Sequence, residues 1–289
     1  MKKYPVYSIQ NFDCNSVHSD LYVNTFKKHL LSHSFIEKPH RHDFYVLVIF
    51  TAGTGSHVID FDYFTIQSGS VFILQPGQMH HWSLSEEIEG YIVFFSKEIY
   101  NLYFGQKDID DYPFYSKVNS SPEIVLYKDE IKVVVPFLDT LIAESSQKQL
   151  LQRDKIINLL DIIHIELARK YIDKLKDGSH SYNLKLNRFG LLLEQKYKTE
   201  KAPFYYAGQL HITLKHLNRI TKEVLNKTTT EVITDRVILE AKRMLMEKQF
   251  SVNEIATTLG YEDYSYFSRL FKKNTGMTAT DFRAQKSVI

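Results

Sequence analysis

The stretch that most constrains the fold is Phe250–Arg283, FSVNEIATTLGYEDYSYFSRLFKKNTGMTATDFR. Val252, Ile255, Ala256 and Leu259 fall at i, i+3, i+4 and i+7, one face of a short helix. Ser251 precedes that run as an N-cap. Gly260 stops it, because glycine takes a positive φ without steric penalty. Asp263 caps a second helix on which Tyr264, Phe267, Leu270 and Phe271 share a face and which also carries Arg269, Lys272 and Lys273; Gly276 ends it. A small residue (Ala256) where two helices cross, a glycine turn four residues on and a basic second helix spell a helix-turn-helix. Such a second helix enters a major groove, so double-stranded DNA is the expected partner.

A weaker twin lies upstream. Tyr206, Ala207 and Leu210 pattern a short helix, and Thr213 caps another with Leu214, Leu217 and Ile220 on one face and Lys215, Asn218, Arg219 and Lys222 on the other. His211 stands where the other copy has Gly260. Asn226 replaces Gly276, and asparagine is the residue that best tolerates the left-handed cap after glycine. Between the copies, residues 230–247 place Ile233, Val237, Ala241 and Leu245 every four residues with no proline or glycine, which predicts one continuous rod. Two groove-entering helices on one face need to lie about 34 Å apart, one duplex turn. Residues 184–197 form a further amphipathic helix, preceded by a polar break at Asp177–Ser181 read as a linker.

Charge supports the DNA reading only when the chain is divided. The overall balance is +2, but residues 1–184 carry 18 basic and 23 acidic side chains, and residues 185–289 carry 18 and 11. The basic C-terminal part favours a polyanion. The single cysteine, Cys14, excludes an internal disulfide, and the N-terminus lacks the apolar core of a signal peptide. The longest purely apolar run, Phe44–Phe50, is far short of the roughly 20 residues that span a bilayer. No membrane association is expected, and a cytoplasmic location is.

The N-terminal part reads as β. Residues 44–50, 56–60, 63–66, 70–74 and 91–95 are short runs rich in Val, Ile, Phe and Tyr, punctuated by Gly53 with Gly55, Ser68-Gly69 and Pro76-Gly77. Close spacing of short strands predicts a small antiparallel barrel or jelly roll. Residues 1–35 are expected to form an extended arm or a leading strand or two. Pro39-His40-Arg41-His42, then Gly69, Pro76-Gly77 and His80-His81-Trp82 resemble the cupin pattern, in which an HxH pair and a later histidine line one barrel mouth. In metal-binding cupins a glutamate four residues past the second histidine completes the ligands; here that position is Val46. His40, His42 and His80 could still form a three-histidine site. The reading preferred on the sequence is that they stabilise strand ends, so no metal or other cofactor is assigned. The resemblance implies a pocket for an organic small molecule, lined by His40, His42, Tyr45, His80 and Trp82.

Residues 100–122 read as a loop-rich connection with short helices, and Asp108, Asp110 and Asp111 as a solvated surface. Two helices follow, one marked by Val133, Phe137, Leu141 and Ile142 and one over about 148–175. The broad apolar stripe of the second can pack on the barrel and also face a second copy of the chain, giving a homodimer.

With these strings in place, residues about 184–289 resemble the DNA-binding domain of the AraC/XylS family of bacterial transcription regulators. YYAGQL, ITLKHLNRITKE and ILEAKRML carry the match, and SVNEIATTLGYEDYSYFSRLFKKNTGMTATDFR carries it most strongly. The family pattern has proline where Ala279 stands and an aromatic where Thr221 stands. The resemblance implies an α+β chain: a cupin-like ligand-sensing and dimerisation barrel with flanking helices over 1–176, then an all-α domain of two helix-turn-helix units joined by a long helix over 184–289. By the same resemblance, Lys215, Asn218 and Arg219 of the first recognition helix and Tyr264, Ser265 and Arg269 of the second face bases. Lys222, Lys272 and Lys273 face phosphates. Arg236 and Arg243, on the rod, fit ion pairs better than DNA contact. The function implied is a non-enzymatic regulator, most often an activator working with RNA polymerase, controlled by a small molecule in the barrel. The alternative is a cupin-type metal-dependent enzyme with an accessory DNA-binding domain.

Overall fold

A computed structural model describes residues 4–12, 20–33, 38–104, 108–115, 118, 121–174, 180–247 and 249–286. The chain divides into two compact units, one within Pro5–Tyr115 and Ser120–Lys176 and one centred on Asp177–Ile289.

The strands of the first unit are β1 (Val6–Tyr7), β2 (Leu21–Thr25), β3 (His40–His42), β4 (Tyr45–Ala52), β5 (Gly55–Ile59), β6 (Asp62–Ile66), β7 (Ser70–Leu74), β8 (Met79–Leu84), β9 (Glu89–Phe95) and β10 (Glu123–Val125). They form two five-stranded sheets, β1-β3-β8-β5-β6 and β10-β7-β4-β9-β2. Four helices accompany them: α1 (Phe26–Ser32), α2 (Lys97–Phe104), α3 (Lys128–Ser145) and α4 (Gln152–Lys174). β4 is apolar almost throughout because both of its faces are covered. Val46, Val48 and Phe50 join Phe72, Trp82, Ile92 and Phe94 in one core. Tyr45, Leu47 and Ile49 join Leu138, Leu141, Ile156, Leu160 and Leu167 of α3 and α4 in the other. Side chains alternate across a strand, so neighbours in sequence serve different cores.

The five expected strands are present, each within two residues of its expected ends. Two histidine-bearing segments outside the five expected strands are themselves strands, β3 and β8, paired antiparallel with His40 opposite His80. In the leading segment, β2 runs on into the helix α1. One member of the acidic cluster is corrected: Asp111 is exposed, but Asp110 is buried, accepts a hydrogen bond from the Tyr45 hydroxyl at 2.9 Å and pairs with Lys97 at 2.7 Å.

The second unit is helical: α5 (His180–Lys196), α6 (Pro203–Gln209), α7 (Leu214–Leu225), α8 (Thr229–Met246), α9 (Val252–Thr258), α10 (Tyr264–Thr275) and α11 (Ala279–Lys286). The segment expected as a linker falls mostly outside the described residues, and its His180 and Ser181 already belong to α5. Ser251, Asp263, Thr213 and Thr228 cap their helices with side-chain oxygens. Glu231 and Glu254 return bonds of 2.6 Å to the cap backbone, completing capping boxes. α8 is the expected rod, and Ile233, Val237, Ala241 and Leu245 are all buried on it. Arg236 is held by Glu194 and by Glu240 at 3.1 Å, with its guanidinium 4.0 Å from the Tyr197 ring centre. Arg243 also pairs with Glu240, so both rod arginines are structural.

The two turns show how equivalent backbones are reached with different residues. Ile212 N donates to Ala207 O at 3.0 Å, and Tyr261 N to Ala256 O at 2.9 Å, closing the same helix end. His211 sits at φ 54° and Gly260 at φ 80°. A Cβ on Gly260 would lie 1.9 Å from the Lys198 carbonyl oxygen. Gly260→Ala therefore combines backbone strain with a backbone clash, and it should destabilise the protein by more than about 1 kcal/mol in chemical denaturation.

Candidate nucleic-acid interface and sensor site

The recognition helices correspond with an offset of fifty residues. Leu217 and Phe267 are buried on both, as are Thr221 and Phe271. The opposite faces carry Lys215, Arg219 and Lys222 on α7 and Ser265, Arg269, Lys272 and Lys273 on α10, all exposed. Two residues assigned to the core face are turned outward instead: Leu214 is 38% exposed and Tyr264 42%. They occupy the first position of each helix, before the packing face begins, and Tyr264 is thereby free for the contact face.

On the first unit of the pair, Lys215, Asn218, Arg219 and Lys222 line a concavity of about 830 Å³ together with Thr213, His216 and Thr228. The Arg219 guanidinium lies 5.6 Å from the Tyr182 ring centre, on α5. Asn218 also has a role in the fold. Its amide oxygen accepts from Thr229 N at 3.0 Å, bonding α7 to the first turn of α8. A bidentate adenine contact uses the same amide oxygen, which the bond to Thr229 N holds towards α8. Asn218→Ala should lower stability by about 1 kcal/mol while leaving the preference among bases unchanged, as read by denaturation and by competition among operator variants. On the second helix, Arg269 makes no ion pair among the described residues, and both lysines fall in the last turn.

The sensor unit gathers more histidine than the sequence pattern indicated. β3 and β8 turn His40, His42, His80 and Trp82 inward, and β5 adds His57 opposite Trp82. The Nε2 atoms of His40 and His42 are 3.1 Å apart, and those of His42 and His80 2.8 Å. His57 Nε2 is 2.9 Å from His80 Nδ1. All four rings are buried, and aromatic rings surround them: Phe44 lies 4.5 Å from His42, and Trp82 lies 4.7 Å from His57. His57 was missed because its strand carries no motif. The period-two parity with Ile59 was the available signal.

Tyr45 does not belong to this site. It lies on the outer face of its sheet, stacked on Phe95 and bonded to Asp110, because its parity in β4 is opposite to that of Val46. Val46 is itself inward and fully buried where the cupin pattern has a carboxylate. The interior around the histidines is filled by Phe12, Phe44, Phe72 and Phe94. A groove of about 650 Å³ lies alongside, lined by Lys27, Leu30, His81, Trp82, Glu86 and Ile88 between α1 and the β8 edge. Trp82 is common to both places, and its indole N–H is buried without a hydrogen-bond partner.

Burial holds these imidazoles neutral. It pushes His40 down to about 4 despite the Lys38 carbonyl, and pushes His29, beside His33 and bonded to the Tyr22 hydroxyl, down to about 3. His42, His57 and His80 are lowered for the same reason. An unfolded chain takes up protons near the ordinary histidine value, the folded one only well below it. Stability is thus full above about pH 6.5 and falls as the pH drops towards the folded values. Thermal denaturation of chelator-treated protein should show Tm falling steeply between about pH 6.5 and pH 4.

Comparison with known proteins agrees with both halves. Residues 23–163 match the model of an AraC-like ligand binding domain, and residues 206–285 that of a helix-turn-helix domain. The HTH-type transcriptional activator RhaS of Salmonella schwarzengrund is 24% identical over 257 residues, covering 86% of this chain and 88% of its own. The activator RhaR of Mannheimia succiniciproducens is 23% identical over 248 residues, covering 85% and 87%. A solved structure of ToxT from Vibrio cholerae is similar at a TM-score of 0.43 and 13% identity, over 91% of this chain and 98% of that one. The chain belongs to the AraC family of transcription regulators, with an N-terminal ligand-binding domain and a C-terminal helix-turn-helix domain. Among the described residues, no helix is long and apolar enough to cross a membrane.

Proposed function

We propose that this protein is a sequence-specific transcription activator whose DNA binding is controlled by a small molecule held by the N-terminal domain. The observation that carries the reading is the pair of capped recognition helices, each with an exposed arginine and lysine at matching positions, Arg219 and Lys222 on one and Arg269 and Lys272 on the other. Arg219 and Arg269 contact bases, with Lys215, Tyr264 and Ser265 beside them. Lys222, Lys272 and Lys273 contact phosphates. The relatives named as activators favour activation, and with it a contact to RNA polymerase in the cytoplasm. A homodimer matches the paired half-sites that such proteins read. The effector is taken up around Trp82, from the groove beside β8, and no enzymatic role is assigned.

Arg269→Ala should weaken binding to the operator by about 1–3 kcal/mol and relax one base position. Lys272→Ala should weaken operator and random DNA alike and reduce the slope of log K against log salt by about 1. Fluorescence anisotropy with both DNAs across a salt series measures these effects. Equal affinity of the wild-type chain for promoter and random DNA would overturn the reading.

A further inference from the structure

We propose that His40, His42 and His80 bind a divalent first-row transition-metal ion through their Nε2 atoms, with His57 positioning His80 from behind. The argument is an accounting of protons. His40 Nδ1 lies 2.7 Å from the Lys38 carbonyl oxygen, which can only accept. That nitrogen therefore carries the hydrogen, and the Nε2 of neutral His40 is a bare lone pair. His42 Nε2 faces this lone pair at 3.1 Å and His80 Nε2 at 2.8 Å. One ring nitrogen holds either one hydrogen or one in-plane lone pair. His42 can therefore complete only one of the two contacts, and the other leaves two nitrogens pressed together without a proton between them.

A cation among the three removes the conflict. All three Nε2 atoms then serve as lone-pair donors, and His80 Nδ1 donates to His57 Nε2 at 2.9 Å. That bond is the outer support that metal-bound imidazoles ordinarily have, and His40 has its counterpart in the Lys38 carbonyl. The three ligand atoms lie within 4.8 Å of one another on buried side chains. Tetrahedral bonds of about 2.0–2.1 Å place such nitrogens roughly 3.3 Å apart, a short adjustment from the positions found. Three imidazoles and no carboxylate suit zinc, cobalt, nickel or iron rather than magnesium or calcium. Val46 supplies no fourth ligand, and the uncompensated charge favours an anionic oxygen donor in the open position.

The site does not depend on the regulatory reading, and its test needs no DNA. Trp82 is the only tryptophan of the chain, and its ring centre is 5.0 Å from that of His80. Full-length, tag-free protein is stripped with chelator, dialysed and titrated with Co²⁺ or Zn²⁺ alone. One equivalent of Co²⁺ should quench the Trp82 fluorescence saturably and develop visible absorption, and Zn²⁺ should raise Tm. His42→Gln and His80→Gln should abolish both effects, while His57→Gln should weaken ion affinity about 10–100-fold. His81→Gln, on the other face of β8, should change neither. Absence of saturable quenching and of any Tm shift in the wild type at millimolar ion overturns the proposal. So does undiminished binding in the His42→Gln/His80→Gln double variant. Should those variants fail to fold by circular dichroism, the wild-type titration and the His57→Gln affinity decide.

Discussion

The N-terminal domain depends on one strand being buried on both sides. β4 runs through the middle of its sheet, between β7 and β9, and its odd and even residues serve two separate cores. A one-residue slip would move Val46, Val48 and Phe50 to the helical side and Tyr45 into the aromatic interior. The Tyr45 hydroxyl would then lose Asp110, which itself would be a buried carboxylate with Lys97 alone. Register is therefore set by polar bonds on one face and by ring packing on the other. The histidine cluster lies inside the frame so fixed.

The C-terminal domain meets the same demand for precise placement by different means. Its two recognition helices must each present a short basic face. Their starts are set by side-chain caps and their ends by left-handed residues, Asn226 at φ 55° and Gly276 at φ 79°. The rod between them carries its arginines inward, locked to Glu194 and Glu240. The twins differ in how firmly each core is filled. Phe271 packs against Phe282 with ring centres 5.8 Å apart, whereas Thr221 meets Thr229 through hydroxyls 3.4 Å apart. Asn218 adds a bond across that thinner core.

The all-α half was legible almost to the residue because its signals are local. Caps, left-handed stops and period-four apolar stripes are written within a dozen residues of the features they specify. The barrel was legible as strands but not as a site. His40, His42 and His80 stood out by motif, whereas His57 reached them only through the pairing of β5 with β8, a contact between segments over twenty residues apart. Tyr45 was placed in the pocket by the cupin resemblance, and strand parity puts it on the opposite face of β4 from Val46. Asp110 was read as solvated because an acidic run usually is, and the tertiary partner that buries it lies 65 residues away. What local sequence could not supply was which face of a fully apolar strand looks inward.

The fifty-residue correspondence between the twins also separates what they share from what distinguishes them. Arg219 matches Arg269 and Lys222 matches Lys272, so a common polyanion-binding frame is duplicated. Among the residues expected to face bases, the pairs that differ are Leu214 with Tyr264, Lys215 with Ser265 and Asn218 with Ser268. Leu214, Tyr264, Lys215 and Ser265 are exposed at the helix starts, where a docked recognition helix meets base edges. Asn218 is turned to its own fold. On the proposed function, the first turns of the two helices, which differ in sequence, are better placed than the shared arginines to tell the two halves of an operator apart. A lysine favours guanine acceptors, whereas a serine is tolerant, and Leu214 offers only an apolar contact of the kind a thymine methyl accepts. Shared helix geometry with different first-turn residues is, on that reading, suited to an asymmetric site.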